Sequence, residues 1–267
     1  ARKLKRRGTT TIAVCFINSY ANMQNEQRMR EILEEEIPEA NVSTSSEILP
    51  EIFEHDRFNT AVANTVLGPL VYEYVKQLDD ELSAGGYTND LLLLHSGGGS
   101  MTPAMAKHYP VRLAASGIAA GAIAAKHIAE QCGYQNAVGL DMGGTSTDIS
   151  LIHDGELRVT KQWGVEYGHP IVFPSIEVLT IGAGGGSLAH IDIAGALRNG
   201  PQSAGADPGP ACYERGGVEP TNTDANLALN RLGRSLAGGA LELSREKAEH
   251  AINEKIGHSL PLNTAEA

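Results

Sequence analysis

One eight-residue segment, DMGGTSTD from Asp141 to Asp148, carries residue types suited to phosphate chemistry. Two adjacent glycines let backbone N–H groups approach anionic oxygens without a Cβ in the way, and three hydroxyl side chains add donors. These cofactor-binding candidates are Gly143, Gly144, Thr145, Ser146 and Thr147. Asp141 can hold Mg²⁺ through water, because this hard cation prefers oxygen ligands. Asp148 can do the same or orient a water, so both acids are catalytic candidates and Asp141 is the metal candidate.

The flanking sequence decides what kind of turn this segment makes. Apolar stretches precede it (Ala137 to Leu140) and follow it (Ile149 to Ile152), and both are typical of buried strands. The segment is therefore predicted to be a β-hairpin turn and not a strand-to-helix loop. It differs from a Walker A motif, which also requires a lysine that this segment lacks. The alternative is a plain hairpin turn capped by its own Asp and hydroxyl side chains.

Three further glycine-containing loops follow predicted strands or open a predicted helix: Ser96 to Ser100, Ser116 to Gly121 and Gly182 to Ser187. Backbone N–H groups at a helix start favour an anion, and ligands of α/β sheets gather at the carboxyl ends of strands. Close packing of small residues is the alternative for each loop. The cofactor-binding candidates from these loops are Ser116, Gly117, Gly182, Gly184, Gly185, Gly186 and Ser187.

Cysteine and histidine offer weaker candidates. The Pro- and Gly-rich segment from Ser203 to Tyr213 can place Asp207 or Cys212 in a site. As a nucleophile Cys212 would need a base, for which His190 is the nearest histidine in sequence, and a buried structural thiol is the favoured interpretation. The histidines show no metal-ligand spacing. His95, directly after a predicted strand, is the histidine of most interest.

The elements that must position these residues alternate between strands and helices, which predicts an α/β fold. Strands are predicted at 9–18, 42–45, 91–94, 137–140, 149–152 and 176–181. Helices are predicted at 25–37, 57–83 (one long helix, or two in succession with a break or kink at Gly68-Pro69), 115–131, 223–232 (with Thr223 or Asp224 near its N-cap) and 244–256. An ordered loop is predicted from 199 to 217.

Composition excludes several classes of protein. A formal net charge of −11 argues against a nucleic-acid binder. No stretch of about 20 apolar residues suggests a membrane span. Three widely spaced cysteines without a C-x-x-C pair predict reduced thiols in a cytoplasmic protein. The chain lacks an initiating Met and opens in a basic run, which favours a piece of a longer polypeptide.

Taken together, the motifs resemble the hydantoinase A / 5-oxoprolinase family, which also holds ATP-dependent acetone and acetophenone carboxylase subunits. The resemblance runs from about Ala13 to Gly233. The motifs that carry it, besides DMGGTSTD, are INSYAN (17–22), SSEILPEI (45–52), SGIAAG (116–121), IGAGGGSLA (181–189), GPQSAGADPGPACY (200–213) and PTNTDANL (220–227).

The resemblance implies an actin-like ATPase (ribonuclease H-like) fold with two lobes and nucleotide between them. It implies ATP and Mg²⁺ as cofactors, a small carbonyl substrate (a lactam, hydantoin or ketone), and a partner subunit or domain of the hydantoinase B type. In the hydrolase branch, ATP phosphorylates the carbonyl oxygen of a cyclic amide before ring opening. In the carboxylase branch, it phosphorylates a ketone enolate.

By the same resemblance, residues 1–95 belong to the first part of the hydantoinase A domain, residues 96–233 form the nucleotide-binding core, and residues 234–267 form a C-terminal helical segment. The family has an earlier glycine-rich phosphate motif, which this chain lacks before residue 96, so an incomplete copy without the first lobe is expected. The family also shows SNGG where this chain has SGGG from Ser96, and Pro where this chain has Ile118. A cyclic-amide hydrolase active in the full-length protein or complex is the first hypothesis. A ketone carboxylase subunit is the second, and a non-catalytic module that binds nucleotide to assemble partner subunits is the third.

Overall fold

The computed structural model of the chain describes residues 1–165, 169–260 and 262–266. Its α-helices are α1 Arg2–Arg6, α2 Gln24–Glu36, α3 Ser45–Ile48, α4 Glu54–Ala84, α5 Pro103–His108, α6 Ser116–Gln131, α7 Asn222–Ala228 and α8 Arg245–Ile252. Its strands are β1 Thr11–Val14, β2 Asn41–Thr44, β3 Leu93–Leu94, β4 Ser100–Met101, β5 Ala137–Met142, β6 Thr147–His153, β7 Glu156–Leu157, β8 Val159–Val165, β9 His169–Ile176, β10 Val178–Ile181, β11 Ser187–Ile191, β12 Leu197–Ser203, β13 Ser235–Leu236 and β14 Leu241–Glu242. The alternation of helices and strands confirms the predicted α/β class.

Contacts divide the chain into two compact units. The first unit comprises Ala1–Ala137 and Leu151–Val178, and the second comprises Val138–Ser150 and Leu179–Ala267. The predicted boundaries at residues 95 and 233 stay predictions about family domains. Within the described residues, no helix is both long enough and apolar enough to cross a membrane.

The first unit opens with a β1–α2–β2 arrangement. β1 and β2 pair in parallel, with Thr11 opposite Asn41 and Val14 opposite Thr44. Because parallel neighbours need a crossover, α2 connects them and packs its apolar side on the sheet. Ile12, Val14, Leu33 and Ile37 form the resulting core.

A buried polar network lies beside this core. The carboxylate of Glu26, which is fully buried, accepts hydrogen bonds from Phe16 N (2.7 Å), Ser45 Oγ (2.7 Å) and Ser46 N (2.8 Å). Arg57, also fully buried, donates to Ser45 Oγ at 3.2 Å and to the carbonyl oxygen of Phe16 at 3.2 Å. The network connects α2, α3 and α4, so the two serines of the SSEILPEI motif stabilise the fold.

Helix α4 runs through Pro69 without ending, so residues 57–83 form one long helix and not two in succession. A proline inside a helix has no N–H and leaves the carbonyl four residues earlier without its partner. That carbonyl belongs to Thr65, and it accepts instead from Asn41 Nδ2 at 3.3 Å. Gly68 gives the amide room, since a Cβ there would lie 2.3 Å from Asn41 Nδ2. The side chain of β2 thus replaces the missing helical bond.

Two strand predictions need correction on burial. β5 was expected to be buried, but Val138 and Leu140 are 62% and 71% exposed, whereas Gly139 between them is buried. The apolar run therefore presents alternate side chains to opposite faces, and only one face is covered within this chain. Of the predicted apolar strand at 91–94, only Leu93–Leu94 pairs, with β4, and Leu92 is 59% exposed.

In the second unit, the loop predicted from 199 to 217 is wrong in its first part. Residues Leu197–Ser203 form β12, which pairs antiparallel with β11, and Ala211–Tyr213 form a 3₁₀ turn. Ladder hydrogen bonds outweigh the loop preference of Gly200 and Pro201. α7 is also capped earlier than predicted, by Thr221 in place of Thr223 or Asp224. The Thr221 hydroxyl accepts from Asp224 N, and the Asp224 carboxylate accepts from Thr221 N, which makes a capping box.

The Glu26 network predicts a pH dependence of stability. Burial opposes ionisation, but the hydrogen bonds from Ser45, Ser46 and Phe16 outweigh it and lower the pKa of Glu26 from its ordinary value of 4.5. Because the folded-state pKa is the lower one, the stabilisation is complete above 4.5 and is lost as pH falls through the folded-state value. We expect Glu26→Gln to lower the free energy of unfolding by about 3 kcal/mol at neutral pH, with the deficit shrinking in acid.

Urea unfolding of wild type and variant across this pH range measures the deficit. Glu39→Gln is the matched control, since Glu39 is exposed and makes no side-chain hydrogen bond or ion pair with any described residue. A Glu26→Gln deficit that is the same at all pH values would contradict the assignment.

Candidate functional site

The segment from Asp141 to Asp148 forms a β-hairpin, as the sequence predicted. β5 ends at Met142, β6 begins at Thr147, and the two strands are neighbours in one sheet with β10 on the far side of β6. The turn closes through a hydrogen bond from Gly143 N to Ser146 O at 2.9 Å. Asp141 and Asp148 therefore lie just before and just after the turn on adjacent strands.

Three backbone N–H groups of the turn, those of Gly144, Thr145 and Ser146, find no acceptor among the described residues. Gly144 and Thr145 are exposed, and the hydroxyls of Thr145 and Ser146 donate to no described group. A Cβ on Gly144 would have no atom within 4 Å. The turn thus offers unengaged backbone and hydroxyl donors, with open space at Gly144, and such a set of donors is able to bind an anion.

The two carboxylates differ in their surroundings. Asp148 accepts a hydrogen bond from Thr180 Oγ1, on β10, at 2.5 Å, which fixes the carboxylate in the sheet. Asp141 is exposed, and its carboxylate accepts no hydrogen bond from the residues that the structure describes. Asp141 is therefore the carboxylate open to a cation. No described cluster of three or more His, Cys, Asp or Glu residues could hold a metal by itself.

The loop from Gly182 to Ser187 packs directly on this turn. Gly185 N donates to Gly143 O at 2.9 Å, and Gly186 N donates to Gly144 O at 2.7 Å. Thr147 Oγ1 donates to the carbonyl of Ala183. We call this set of contacts the turn–loop lock. It joins two motifs that are about 40 residues apart in the sequence.

Glycine at two positions of this loop is explained by the closeness of the contact. A Cβ on Gly184 would lie 2.6 Å from Thr145 N and 2.7 Å from Ser146 N, and one on Gly186 would lie 3.0 Å from Gly144 O. The N–H groups of Gly184, Gly185, Gly186 and Ser187 all donate within this unit. Direct contact of Gly182, Gly184, Gly185, Gly186 and Ser187 with a nucleotide stays a prediction, and the geometry gives most of them the separate task of holding the turn.

Helix α7 holds the loop from behind. Thr223 N and Thr223 Oγ1 each donate to Gly185 O at 2.8 Å, and Asn222 Nδ2 donates to Gly184 O at 2.9 Å. The fully buried Asp224 carboxylate accepts from Cys212 N, Ala211 N and both Thr221 donors. From the sequence, Asp224 was expected only as a possible cap of α7. The Thr-x-x-Asp spacing of a capping box is the pattern that indicates its wider role.

Cys212 is fully buried in a core with Leu227, Leu243 and Ala248. Burial, together with the Asp224 charge, raises the pKa of the thiol well above its ordinary value of 9.0. A thiol that stays protonated is a poor nucleophile, so the structural interpretation of Cys212 is favoured. His190, its suggested base, lies on β11 and is exposed, and so is Asp207 in the loop before Cys212.

Ser116 and Gly117 belong to the first unit, at the start of α6. Gly117 is exposed, while Ala119 of the same motif and Ala122 just after it are buried against Ile176. The small residues of SGIAAG thus serve helix packing in part, which was the alternative interpretation. A nucleotide contact by Ser116 and Gly117 stays a prediction.

His95 also lies in the first unit, where it supports the Ser96–Ser100 turn. Its Nδ1 accepts from Gly97 N at 3.0 Å, and a Cβ on Gly99 would lie 2.7 Å from its Nε2. Burial and the Arg112 charge lower the pKa of His95, which favours the neutral ring. Ser96, fully buried, bonds through its Oγ to Arg112 O and Ala115 N. This glycine run is therefore explained by a histidine packed inside its own turn.

A family model described as Hydantoinase/oxoprolinase matches residues 57–267. The alpha subunit of caprolactamase from Pseudomonas jessenii is 38% identical over 96% of this chain, and the gamma subunit of acetophenone carboxylase from Aromatoleum aromaticum is 35% identical over 100% of it. The chain covers only 37% of each of these two proteins.

Solved structures give the same grouping. The crystal structure of ATP-dependent caprolactamase from Pseudomonas jessenii superposes with a TM-score of 0.80 at 36% identity, over 99% of this chain and 38% of that one. The nucleotide-free structure of acetone carboxylase superposes with a TM-score of 0.81 at 28% identity, over the same shares of the two chains. By the match to the family model and by these relatives, the chain belongs to the hydantoinase/oxoprolinase family.

Proposed function

We propose that this chain is the phosphate-binding portion of an ATP-dependent hydrolase that phosphorylates the carbonyl oxygen of a cyclic amide before ring opening. The observation that carries the proposal is the hairpin turn at 143–146, which has three unengaged N–H groups and open space at Gly144, next to the exposed Asp141. The likeness to caprolactamase, described as ATP-dependent, supports the same reaction type. The α/β fold with these structural relatives supports an actin-like ATPase architecture, which we propose as the finer fold class.

The residues of the turn fit ATP and Mg²⁺. A phosphate would accept hydrogen bonds from the N–H groups of Gly144, Thr145 and Ser146, with the hydroxyls of Thr145 and Ser146 as further donors. Mg²⁺ is held in such sites by one or two carboxylates together with phosphate oxygens and water, and Asp141 supplies the open carboxylate. Bound ATP would supply the phosphoryl group that turns an amide oxygen into a good leaving group.

The chain's own residues then contribute positioning and charge. Phosphoryl transfer needs little covalent help from a protein, so fixed donors that need no reorganisation supply most of the catalysis. The turn–loop lock provides that fixity, because four backbone groups of the two motifs are bonded to one another. Asp148, held by Thr180, is placed to orient a water or a metal-bound ligand. We propose that a partner subunit of the hydantoinase B type completes the enzyme, since the relatives are named as subunits.

A ketone carboxylase subunit is the second candidate, favoured by the likeness to acetophenone carboxylase over the whole chain. Phosphate release from ATP separates the two candidates. A hydrolase releases phosphate with lactams or hydantoins and without bicarbonate, whereas a carboxylase requires a ketone together with bicarbonate. Binding of a non-hydrolysable ATP analogue with no turnover of either substrate class, even with a partner subunit, would favour a non-catalytic module.

Two glycine substitutions separate folding from binding. We expect Gly184→Ala to destabilise the second unit by about 1–3 kcal/mol, because its methyl group would press on the turn's own amides. Gly144→Ala, whose methyl group meets no atom within 4 Å, should change the free energy of unfolding by less than about 0.5 kcal/mol. It should nevertheless weaken binding of the Mg²⁺ complex of the ATP analogue, because the methyl group competes for space with the phosphate.

Thermal unfolding of both variants measures their stability, and calorimetric titration measures their affinity for the magnesium complex of the ATP analogue. If Gly144→Ala binds the analogue as tightly as wild type, the phosphate is not at this turn.

Replacing the open carboxylate tests the metal assignment. We expect Asp141→Asn to lower the affinity for the magnesium complex of the ATP analogue at least about tenfold, because a neutral amide is a poorer ligand for a hard dication. Stability should stay the same, since Asp141 is exposed. Glu242→Gln, an exposed acid on β14 of the same unit, is the control for loss of one negative charge. Equal affinity of Asp141→Asn and Glu242→Gln would exclude Asp141 as the metal ligand.

A further inference from the structure

A second concave site lies in the first unit, where it takes no part in the proposed phosphate chemistry. It is a pocket of about 210 Å³ between the end of α3, helix α4, the 3₁₀ segment Pro110–Leu113 and β9. Its walls are mainly apolar and well packed: Ile48, Leu49, Pro50, Val111, Val172 and Phe173. Of these, only Pro50 is exposed. The volume suits a small organic molecule and is too small for a nucleotide.

The pocket wall is rigid on its β9 side. Thr60, on α4, accepts a hydrogen bond from Val172 N at 2.9 Å and donates to Asp56 O at 2.7 Å. Val172 and Phe173 are 5% and 3% exposed. Both polar groups of this contact are satisfied, so the wall offers a ligand apolar surface and no competing donor.

One positive charge in the pocket has no counter-ion. The Arg112 guanidinium stacks on the Tyr109 ring at 4.7 Å, and no carboxylate among the described residues lies within ion-pair distance of it. Its backbone is fixed, because Arg112 O accepts from both Ser96 N and Ser96 Oγ. The other two charges, Lys161 and Glu51, pair with each other at 3.7 Å. The lining therefore carries a net charge of one positive unit.

We infer that this pocket binds a small organic monoanion, a carboxylate with a short apolar body. The carboxylate would lie on the Arg112 guanidinium, which offers two parallel N–H donors to such a group. The apolar body would lie against the Leu49, Val111 and Val172 side of the pocket. A single net positive charge in the lining matches a monoanion better than a doubly charged phosphate.

The test uses the whole chain with methyl-labelled side chains and a matched pair of probes, benzoate and benzamide, followed by NMR. Benzoate should bind saturably and shift the methyl resonances of Ile48, Leu49, Val111 and Val172. Benzamide, which has nearly the same shape and no charge, should bind with an affinity at least roughly tenfold lower. Equal binding of the two probes, or benzoate shifts confined to other methyl groups, would overturn the inference.

Three variants test whether Arg112 is the cation that binds the carboxylate. Arg112→Gln should weaken benzoate roughly tenfold, while Arg112→Lys keeps the charge and should lose less. Glu51→Gln should tighten benzoate, because it frees Lys161 from its ion pair; this variant decides the question if Arg112→Gln does not fold. All three should bind the magnesium complex of the ATP analogue as wild type does. Unchanged benzoate affinity in a folded Arg112→Gln, or no tightening in Glu51→Gln, contradicts the proposed ligand.

Discussion

The second unit depends on two backbone hydrogen bonds, from Gly185 N to Gly143 O and from Gly186 N to Gly144 O. They hold an exposed hairpin turn in one conformation by bonding its carbonyls, and so leave its amides unengaged. A turn held through its amides would have no donors left for a ligand. The direction of these two bonds therefore decides which polar groups of the turn remain available for chemistry.

This lock requires further support, because its donors belong to a loop. Helix α7 bonds the loop carbonyls through Asn222 and Thr223, and the buried Asp224 carboxylate ties α7 to the segment around Cys212. Four sequence motifs thus form one hydrogen-bonded unit: DMGGTSTD, IGAGGGSLA, GPQSAGADPGPACY and PTNTDANL. Close packing accounts for Gly184 and Gly186 of the second motif and for Gly200 and Gly209 of the third, where a Cβ would lie less than 3.0 Å from another atom.

How much was predictable depended on how local the determining interaction is. The hairpin at 142–147 and most helices follow from short patterns of apolar, glycine and hydroxyl residues. The choice between one helix and two at Pro69 did not, since it depends on Asn41, which lies 24 residues from the carbonyl to which it donates. The hydrogen bonds made by the amides at 184–187 were also not predictable. A glycine run has the same sequence whether its N–H groups bind a ligand or another loop. The prediction that β5 is buried was wrong for a related reason. An apolar pattern identifies a strand face that can be buried, but it does not show whether another element packs on that face.

The carboxylates of the chain can be sorted by the donors that they already accept. Glu26 and Asp224 are fully buried and accept three and four hydrogen bonds from protein donors, so neither is accessible to a cation from solvent. Asp148 accepts one, from Thr180. Asp141 accepts none within the described chain and lies beside a turn with three unengaged amides. An exposed carboxylate that accepts no hydrogen bond contributes little to folding. Among the acids of the described second unit, Asp141 is therefore the residue whose presence is best explained by a ligand.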